Sequence, residues 1–339
     1  MVPVTAPVEG LLDGGLWFRV EATGTASAVR RAAERLAVDL GMPPARGADL
    51  AIVAAETAGN LVKHAEQGVL LLRPVRADGQ AGVELIAIDS GPGMRDVAHS
   101  IGDGNSTSGT LGIGLGAVVR QSSWVDLYSV PGSGTVLVVQ VWPGAAPEPA
   151  WAAGLTRPLT GETVSGDGYA VRTVDGRRQV LVCDGLGHGR LAAAATQEAL
   201  RVFGATAAAP PAAVVEVLHR ALHHTRGAAL AVAELDGEVV RFAGLGNIAA
   251  AVHHPDGTRR GLVSLPGIAG HQRRTIREYD HQLPAGAVLI MHSDGVVDRW
   301  NAADHPGLLT HSPQTIAATV LRDHGTRRDD ACVLAARVP

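Results

Sequence analysis

One run of ten residues constrains the fold of this chain more than any other. Val180 to Cys183 is apolar and stops abruptly at Asp184-Gly185, with further glycines at 187 and 189. An apolar run bounded by turn residues predicts a strand covered on both faces, and the glycines let the backbone turn sharply beside a ligand. On spacing alone, however, an ordinary Asp-Gly hairpin turn is the better explanation of Asp184.

The chain provides its own comparison, because other Asp-Gly pairs lie between short strand-like runs and are typical of ordinary turns. These pairs begin at Asp78, Asp175, Asp236 and Asp256. Asp184 differs because a second apolar run, Ala287 to His292, is also followed closely by an Asp-Gly pair, at Asp294. We therefore interpret Asp184 and Asp294 together rather than as two isolated turns.

Further carboxylates lie at predicted strand ends. Asp167 stands at the start of a strand that reaches Val174, and Asp329-Asp330 directly precedes the last strand, Ala331 to Val338. Carboxylates that converge at strand ends hold hard divalent ions such as Mg²⁺ or Mn²⁺. The sequence lacks any Cys/His pair with zinc spacing, which argues against a softer metal.

Composition limits the class of protein. The chain has 339 residues, enough for about two domains, and is 46% hydrophobic and 18% charged, as in globular proteins. A net charge of -4 without a basic stripe argues against nucleic acid as a partner. No apolar stretch has membrane-spanning length and no signal segment is evident, so we expect a cytoplasmic protein without membrane contact. Cys183 and Cys332 lie in apolar strands and are expected to be buried thiols.

The first half contains an ordered set of motifs. A helix expected over residues 45–65 carries Glu56, Asn60 and His64 four residues apart on one line, a spacing that by itself is typical of a solvated face. A strand pair then leads into Asp89-Ser90-Gly91-Pro92-Gly93. A polar loop over residues 103–109 follows, and then Gly112-Ile113-Gly114-Leu115-Gly116 opens another helix.

This ordered set resembles the ATP-binding fold of histidine kinases, gyrase-type ATPases and anti-sigma-factor serine kinases, most closely the last group, over residues 16–142. The resemblance implies an ATP site in which Asp89 accepts the adenine amino group and Glu56 activates the attacking oxygen. Asn60 would complete the coordination of Mg²⁺ beside the phosphates. The other cofactor-binding positions that it implies are Gly91, Gly93, Gly112, Gly114, Gly116 and Thr135.

The proline-rich segment after this half predicts a domain boundary, because residues 143–150 contain too much proline for a helix or central strand. We expect a flexible leader over residues 1–14, an ATP-binding domain over 15–142, a linker over 143–158 and a second domain over 159–339. Strand pairs dominate that second domain and helices interrupt them, which predicts a sheet sandwich with helices outside. The overall fold class is therefore α+β.

The second domain carries four motifs in order: Ser-Gly-Asp at 165–167, Cys-Asp-Gly-Leu-Gly-His-Gly at 183–189, Ser-Asp-Gly-Val at 293–296 and Asp-Asp-Ala at 329–331. Over residues 155–339 they resemble the metal-dependent serine/threonine protein phosphatases, specifically the bacterial sporulation and stress-response branch. The resemblance implies an α-β-β-α sandwich and a binuclear Mn²⁺ or Mg²⁺ centre. The residues that it implies around the metals are Asp167, Asp184 as the bridge, Gly185 through its carbonyl, Asp294 and Asp329.

Three points stay open from the sequence. Asp330 is an alternative ligand to Asp329, and His188 is either a proton donor to the leaving oxygen or a structural turn residue. No arginine dedicated to the phosphate is evident, and Arg172 is only a geometric possibility.

Together the resemblances predict a regulator that removes phosphate from phosphoserine or phosphothreonine of an anti-sigma antagonist protein by means of metal-activated water. Its N-terminal domain would be the opposing serine kinase. One alternative keeps the phosphatase and makes the N-terminal domain a nucleotide sensor or partner-binding module. A further alternative is a non-enzymatic anti-sigma-type binding protein with a degenerate phosphatase domain.

Overall fold

The structure, a computed structural model, describes residues 15–101, 114–273 and 275–337. The leader expected over residues 1–14 and the polar loop expected over 103–109 lie outside the described residues. The chain divides into two compact units, and the boundary between them falls between Pro149 and Ala150.

The described part of the N-terminal unit contains one antiparallel sheet and four helices. Its strands are β1 (Leu16–Arg19), β2 (Val69–Ala77), β3 (Gln80–Asp89), β4 (Trp124–Ser129) and β5 (Thr135–Val141). Its helices are α1 (Thr23–Asp39), α2 (Pro44–His64), α3 (Val97–Ile101) and α4 (Gly114–Gln121). The strand order is β1-β2-β3-β5-β4.

Alternation along the strands determines which face of this sheet carries the helices. Leu70, Leu72 and Leu85 share a buried core with Val53 and Ala58 of α2.

The predicted β2-β3 hairpin is confirmed, and its turn residues Asp78 and Gly79 both have positive φ. Helix α1 begins at Thr23, and its N-cap residue, Ala22, forms no side-chain capping hydrogen bond.

The C-terminal unit contains two five-stranded antiparallel sheets within the residues that the structure describes. The strands are β6 (Ala152–Arg157), β7 (Asp167–Val174), β8 (Arg177–Gly185), β9 (Ala228–Asp236), β10 (Val239–Leu245), β11 (Ala249–His253), β12 (Arg259–Leu262), β13 (Tyr279–Gln282), β14 (Val288–His292) and β15 (Ala331–Ala336). The helices are α5 (Arg190–Ala205), α6 (Pro211–Ala221) and α7 (Pro313–His324). The sheet orders are β13-β10-β9-β8-β7 and β12-β11-β14-β15-β6.

The two sheets face each other across one apolar core. Val180 and Val182 of β8 meet Leu289 and Met291 of β14 in that core. The other face of the first sheet packs against α5 and α6, and α7 packs against β6 and β15 of the second. The predicted sandwich of two sheets between helices is therefore confirmed, and the mixed fold class with it.

One expectation about the boundary is wrong. The linker expected over residues 143–158 includes β6, which pairs in antiparallel register with the last strand, β15, from Ala152↔Ala336 to Arg157↔Ala331. The second domain therefore begins near Ala150, because β6 completes its second sheet.

No helix in the described ranges combines the length and the apolar character that crossing a membrane requires.

Candidate active sites

The acidic residues at the strand ends of the C-terminal unit lie together at one end of the sandwich. Asp167 begins β7 and pairs directly with Asp184 near the end of β8. Asp294 follows β14, whose neighbour β15 is preceded by Asp329-Asp330. The Ser293 hydroxyl donates to Asp167 Oδ2 at 2.5 Å and accepts from the Cys332 N–H at 2.9 Å. Ser293 therefore joins the two sheets at the acidic end.

Gly185 and Gly295, which follow Asp184 and Asp294, have a different role from the glycines of ordinary turns. Gly79, Gly176, Gly237 and Gly257, the glycines of the four comparison pairs, all have positive φ. Gly185 and Gly295 do not have positive φ. A Cβ on Gly185 would lie 2.3 Å from the Ala192 carbonyl oxygen, and a Cβ on Gly295 would lie 1.8 Å from the Asp330 carbonyl oxygen. Close backbone approach, rather than turn conformation, thus requires glycine at the two motif positions.

Burial and mutual repulsion raise the pKa values of these carboxyl groups. Burial, followed by the charge of Asp294, raises the pKa of Asp184 to about 7, against a hydrogen bond with Asp167 that lowers it. Burial and then Asp184 raise the pKa of Asp167 well above its ordinary value, and burial and then Asp329 raise that of Asp294. Each carboxylate thus destabilises the charge on another, as expected where a cation is to be held.

The chemistry of the donors fits a divalent ion, although the side chains as they stand do not form a metal cage. Among the described residues, no group of three or more His, Cys, Asp or Glu side chains is arranged to hold a metal ion. Asp167 and Asp184 lie directly opposite each other on β7 and β8. A hard divalent cation held by their oxygens would relieve the repulsion among the carboxylates. We therefore judge the acidic end suitable for Mg²⁺ or Mn²⁺.

The two adjacent acids have different surroundings. Asp330 is 2% exposed, and its two carboxylate oxygens accept from the Leu159 N–H at 2.7 Å and the Gly166 N–H at 2.8 Å. Asp329 is exposed, and one of its oxygens accepts from the Asp330 N–H at 2.9 Å. Asp329 therefore keeps an oxygen available to a ligand, whereas Asp330 fixes the backbone that carries Asp167.

The surroundings of His188, Arg172 and the two cysteines show what each of these side chains contacts. His188 is exposed, and its Nδ1 lies 3.3 Å from Glu162 Oε1. Arg172 is 2% exposed and bonded to Gln179 and to the carbonyls of Phe203 and Thr206, so the possibility that it binds phosphate is wrong. Both cysteines are free and buried, as predicted, and burial raises the pKa of the Cys183 thiol to about 12.

In the N-terminal unit, the structure brings together Glu56, Asn60 and the start of α4. A Cβ on Gly114 would lie 3.1 Å from Asn60 Oδ1 and 3.3 Å from Glu56 Oε2. Both side chains project from α2 and are half-buried. Gly116 is buried in α4, and Gly112 lies outside the described residues. The carboxylate and the amide therefore lie beside the start of α4.

The predicted adenine end is built on the end of β3. Asp89 Oδ1 accepts from the Gly91 N–H at 2.8 Å, and Asp89 pairs with Thr135 of β5. Gly93 has a φ of 66°, and a Cβ there would lie 2.2 Å from the Val130 carbonyl oxygen. The Thr135 and Ser129 hydroxyls lie 2.9 Å apart. These contacts place Asp89, Gly93 and Thr135, three of the predicted adenine-binding residues, beside one another.

Sequence reasoning missed side chains that hold the acids in place. Asn247 Nδ2 donates to Asp294 Oδ2 at 2.8 Å, and Ser293 holds Asp167 as described above. Ser293 lies inside a motif, so its position beside Asp294 was a usable signal. Asn247 lies in the turn between β10 and β11, far from any acid in sequence, and nothing in its surroundings indicated the contact.

Comparison with known proteins agrees with both motif sets. A family model described as stage II sporulation protein E (SpoIIE) matches residues 174–339. The serine/threonine-protein kinase RsbT of Bacillus subtilis (strain 168) is 35% identical over 115 residues, which is 34% of this chain and 86% of that kinase. The chain belongs to the RsbT family, and its residues 174–339 are similar to SpoIIE. An RsbT-like kinase domain thus precedes a SpoIIE-type PP2C phosphatase domain, a domain type that depends on metal ions.

Solved structures are similar to about half of the chain. One of them is described as "The bacterial stressosome: a modular system that has been adapted to control secondary messenger signaling". Its chain is 28% identical to this one. The TM-score is 0.50, and the likeness covers 55% of this chain and 98% of the other. RsbX in complex with magnesium is 19% identical, with a TM-score of 0.47 and coverage of 56% and 96%.

Proposed function

We propose that this chain removes phosphate from phosphoserine or phosphothreonine of a partner protein and that its RsbT-like domain is the opposing serine kinase. The observation that carries the proposal is the acidic end of the sandwich, where carboxylates from both sheets converge inside a SpoIIE-type domain. Burial and then the charges of Asp294, Asp329 and Asp330 raise the pKa of the Asp184 carboxyl group.

In the phosphatase domain we assign Asp184, Asp294, Asp329 and the Gly185 carbonyl as ligands of Mg²⁺ or Mn²⁺, with Asp167 close by. The bound ions lower the pKa of a water molecule and neutralise charge on the phosphoryl group. Asn247 keeps Asp294 in place through its amide, and Ser293 does the same for Asp167. Because Asp330 is fully engaged with backbone N–H groups, we assign it a structural role.

In the kinase domain we assign ATP with Mg²⁺ as the ligand. Asn60 would complete the Mg²⁺ coordination, and Glu56 would be the base for the acceptor hydroxyl. Their common position beside Gly114 supports this assignment. The start of α4 offers N–H groups suited to phosphate oxygens, because the first N–H groups of a helix lack intrahelical partners. Asp89 accepts the adenine amino group at the other end.

The proposed partner is a small antagonist protein of an anti-sigma factor, phosphorylated on serine or threonine. Similarity to RsbT and to SpoIIE in one chain supports a partner-switching regulator of a sigma-factor pathway. Kinase and phosphatase would then act on the same hydroxyl, the first forming the phosphoester from ATP and the second hydrolysing it.

The test measures both reactions in paired variants. Wild type, Asp184→Asn and Glu56→Gln are incubated with the phosphorylated antagonist and Mn²⁺, and separately with the unphosphorylated antagonist and Mg²⁺-ATP. We expect Asp184→Asn to abolish only dephosphorylation and Glu56→Gln to abolish only phosphorylation. ATP binding by the wild type without transfer would instead make the N-terminal domain a nucleotide sensor. Absence of dephosphorylation by wild type would refute the phosphatase assignment.

A further inference from the structure

The segment before β9 lies directly beside the turn that follows Asp184. Strands β8 and β9 pair in antiparallel register up to Gly185↔Ala228. Beyond the last pair, the Leu186 N–H donates to the Gly227 carbonyl at 3.0 Å. Continuing the register by one more residue brings Arg226 opposite Gly187.

A second observation places the Arg226 side chain against the same turn. Gly187 has a φ of 90°, and a Cβ on it would lie 3.4 Å from Arg226 Nη1. The guanidinium group therefore lies against the backbone three residues beyond Asp184, a position that a side chain at residue 187 would obstruct.

The backbone under Arg226 is held from two sides. Thr225 Oγ1 donates to the Leu222 carbonyl at 2.7 Å and accepts from the Gly227 N–H at 3.0 Å. On the other side, a Cβ on Gly227 would lie 2.6 Å from the Ala269 carbonyl oxygen, and the Ala228 N–H donates to that oxygen at 3.1 Å. The Arg226 side chain thus projects from a backbone segment whose neighbouring residues are held by hydrogen bonds.

Arg226 is exposed, and its guanidinium forms no hydrogen bond or ion pair with any residue that the structure describes. Arg177 and Arg241 of the same sheet, in contrast, both pair with the buried carboxylate of Glu234. Arg226 is therefore not needed to neutralise an acid of the fold, and its donors remain available to an anion.

We propose that Arg226 binds the phosphate group of the phosphorylated residue at the phosphatase site. A phosphate dianion that approaches several carboxylates needs positive charge on its outer side, and the planar guanidinium fork matches two phosphate oxygens. Arg172 is buried and hydrogen-bonded within the fold, so it is not available to the phosphate. Arg226 is the phosphate-binding arginine that the sequence alone did not identify. The inference rests on the proposed phosphatase function and adds a substrate-binding residue to it.

The experiment uses the full chain with Mn²⁺ and compares Arg226→Ala and Arg226→Lys with Arg220→Ala. Arg220 is a matched control, because it is an exposed arginine whose ion-pair partner, Glu216, lies on the same helix, α6, and its loss changes the net charge equally. Two quantities are measured: kinetics on a phosphoserine peptide, and the inhibition constant of inorganic phosphate. For Arg226→Ala we expect KM and the inhibition constant to rise about tenfold, with kcat changing less, since a hydrogen-bonded charge pair is lost. Arg226→Lys should restore part of the loss, and Arg220→Ala should match wild type.

Phosphate binding is also measured by ³¹P line broadening with Mg²⁺, which does not require turnover. Equal phosphate binding and equal inhibition constants in wild type and Arg226→Ala would overturn the inference. If wild type shows no turnover but binds phosphate in a manner that depends on Arg226, the inference stands and the proposed function fails. Circular dichroism of each variant establishes that the chains compared are folded.

Discussion

At the residue scale, Asp329 and Asp330 illustrate how neighbouring acids acquire different tasks. The strand that they precede alternates its side chains, so one of two adjacent residues points inward and the other outward. Asp330 lies inward and accepts two backbone N–H groups, which connects the segments at Leu159 and Gly166 to the start of β15. Asp329 remains exposed at the acidic end.

The two acids are therefore expected to respond differently to the same substitution. Asp330→Ala leaves two backbone N–H groups without their acceptor and should lower the free energy of unfolding by roughly 2–4 kcal/mol. Asp329→Ala should leave that free energy within about 0.5 kcal/mol of wild type while strongly reducing phosphatase activity. Urea denaturation and phosphopeptide turnover measure the two effects. A stable, inactive Asp330→Ala together with an active Asp329→Ala would reverse the assignment.

A buried histidine gives the stability of the second unit a predictable dependence on pH. His253 is 1% exposed, stacks on Trp300 with ring centroids 4.4 Å apart, and has a buried Nδ1 without a hydrogen-bond partner. Burial, followed by the charge of Arg259, lowers the pKa of His253 to about 3. Neutral His253 is accordingly favoured in the folded state, so stability is complete above the unfolded pKa near 6.5 and decreases as pH falls toward 3.

Replacing His253 with phenylalanine keeps a ring beside Trp300 and removes the titrating group. Compared with His253→Phe, wild type should lose stability by up to about 1.4 kcal/mol per pH unit below 6.5, or about 2 kcal/mol at pH 5. Denaturant unfolding of both chains at several pH values measures the difference. A difference that stays constant from pH 7.5 to pH 5 would contradict the prediction.

At the element scale, helix packing rather than any single residue builds the kinase site. Helix α2 places Glu56 and Asn60 one turn apart, and α4 begins with a glycine that lets its first turn approach both side chains. Because Gly114 does not have a positive φ, alanine fits its backbone and would change only the space beside α2.

Gly114→Ala is therefore expected to weaken ATP binding by about tenfold or more without unfolding the domain. Its methyl group would lie within 3.3 Å of the Glu56 and Asn60 oxygens and displace them from the phosphates and Mg²⁺. Gly59→Ala on α2 is the matched control, because a Cβ there meets nothing within 4 Å and alanine favours a helix by about 1 kcal/mol. Isothermal titration with an ATP analogue compares the variants, and equal affinities in Gly114→Ala and wild type would count against the site.

The sequence predicted elements well where periodicity or a motif was local. The β2-β3 hairpin, the long helix α2 and the strands that end in acids all agree with their patterns. Strand β6 could not be predicted in this way, because Ala152–Arg157 has little apolar alternation and its partner β15 begins at Ala331, at the other end of the chain. Only the tertiary fold shows that the second sheet needs this strand.

Because β6 pairs with β15, the residue at which a fragment of the second domain begins should determine whether that fragment folds. A chain that starts at residue 150 retains β6, whereas one that starts at 159 removes the strand that pairs with β15 and packs against α7. We expect the longer fragment to fold cooperatively and the shorter one to be largely unfolded or aggregated, because an edge of β15 and a buried face of α7 become exposed. Thermal unfolding and hydrogen exchange test this, and equal stability of the fragments would show that β6 is dispensable.

The same distinction between local and distant signals applies to the active sites. The acids were recognisable because each follows or precedes an apolar strand, and strands of a sandwich end together. Asn247 and Arg226 reach the site through contacts with Asp294 and Gly187 that are distant in sequence, and neither lies in a motif. Residues that orient or complete a site are therefore less visible in sequence than the residues that they serve.

At the scale of the whole molecule, the two proposed activities on one polypeptide have a consequence that separate enzymes lack. The kinase would transfer the γ-phosphoryl group of ATP to the partner's hydroxyl, and the phosphatase would release it as inorganic phosphate. The net reaction is ATP hydrolysis. Since each chain carries one copy of each domain, both rates rise in proportion when the amount of protein rises, and their ratio stays fixed.

The phosphorylated fraction of the antagonist at steady state should therefore be independent of the concentration of this protein and of the starting state. In Mg²⁺-ATP, phosphorylated and unphosphorylated antagonist should converge on one intermediate fraction, measured by intact mass. Asp184→Asn should move that fraction toward complete phosphorylation, because only the forward reaction remains, and Glu56→Gln should move it toward zero. Equimolar mixing of the two variants should restore the wild-type fraction if each domain acts alone. A fraction that changes with the concentration of wild-type protein, or that never converges, would contradict opposed activities in one chain.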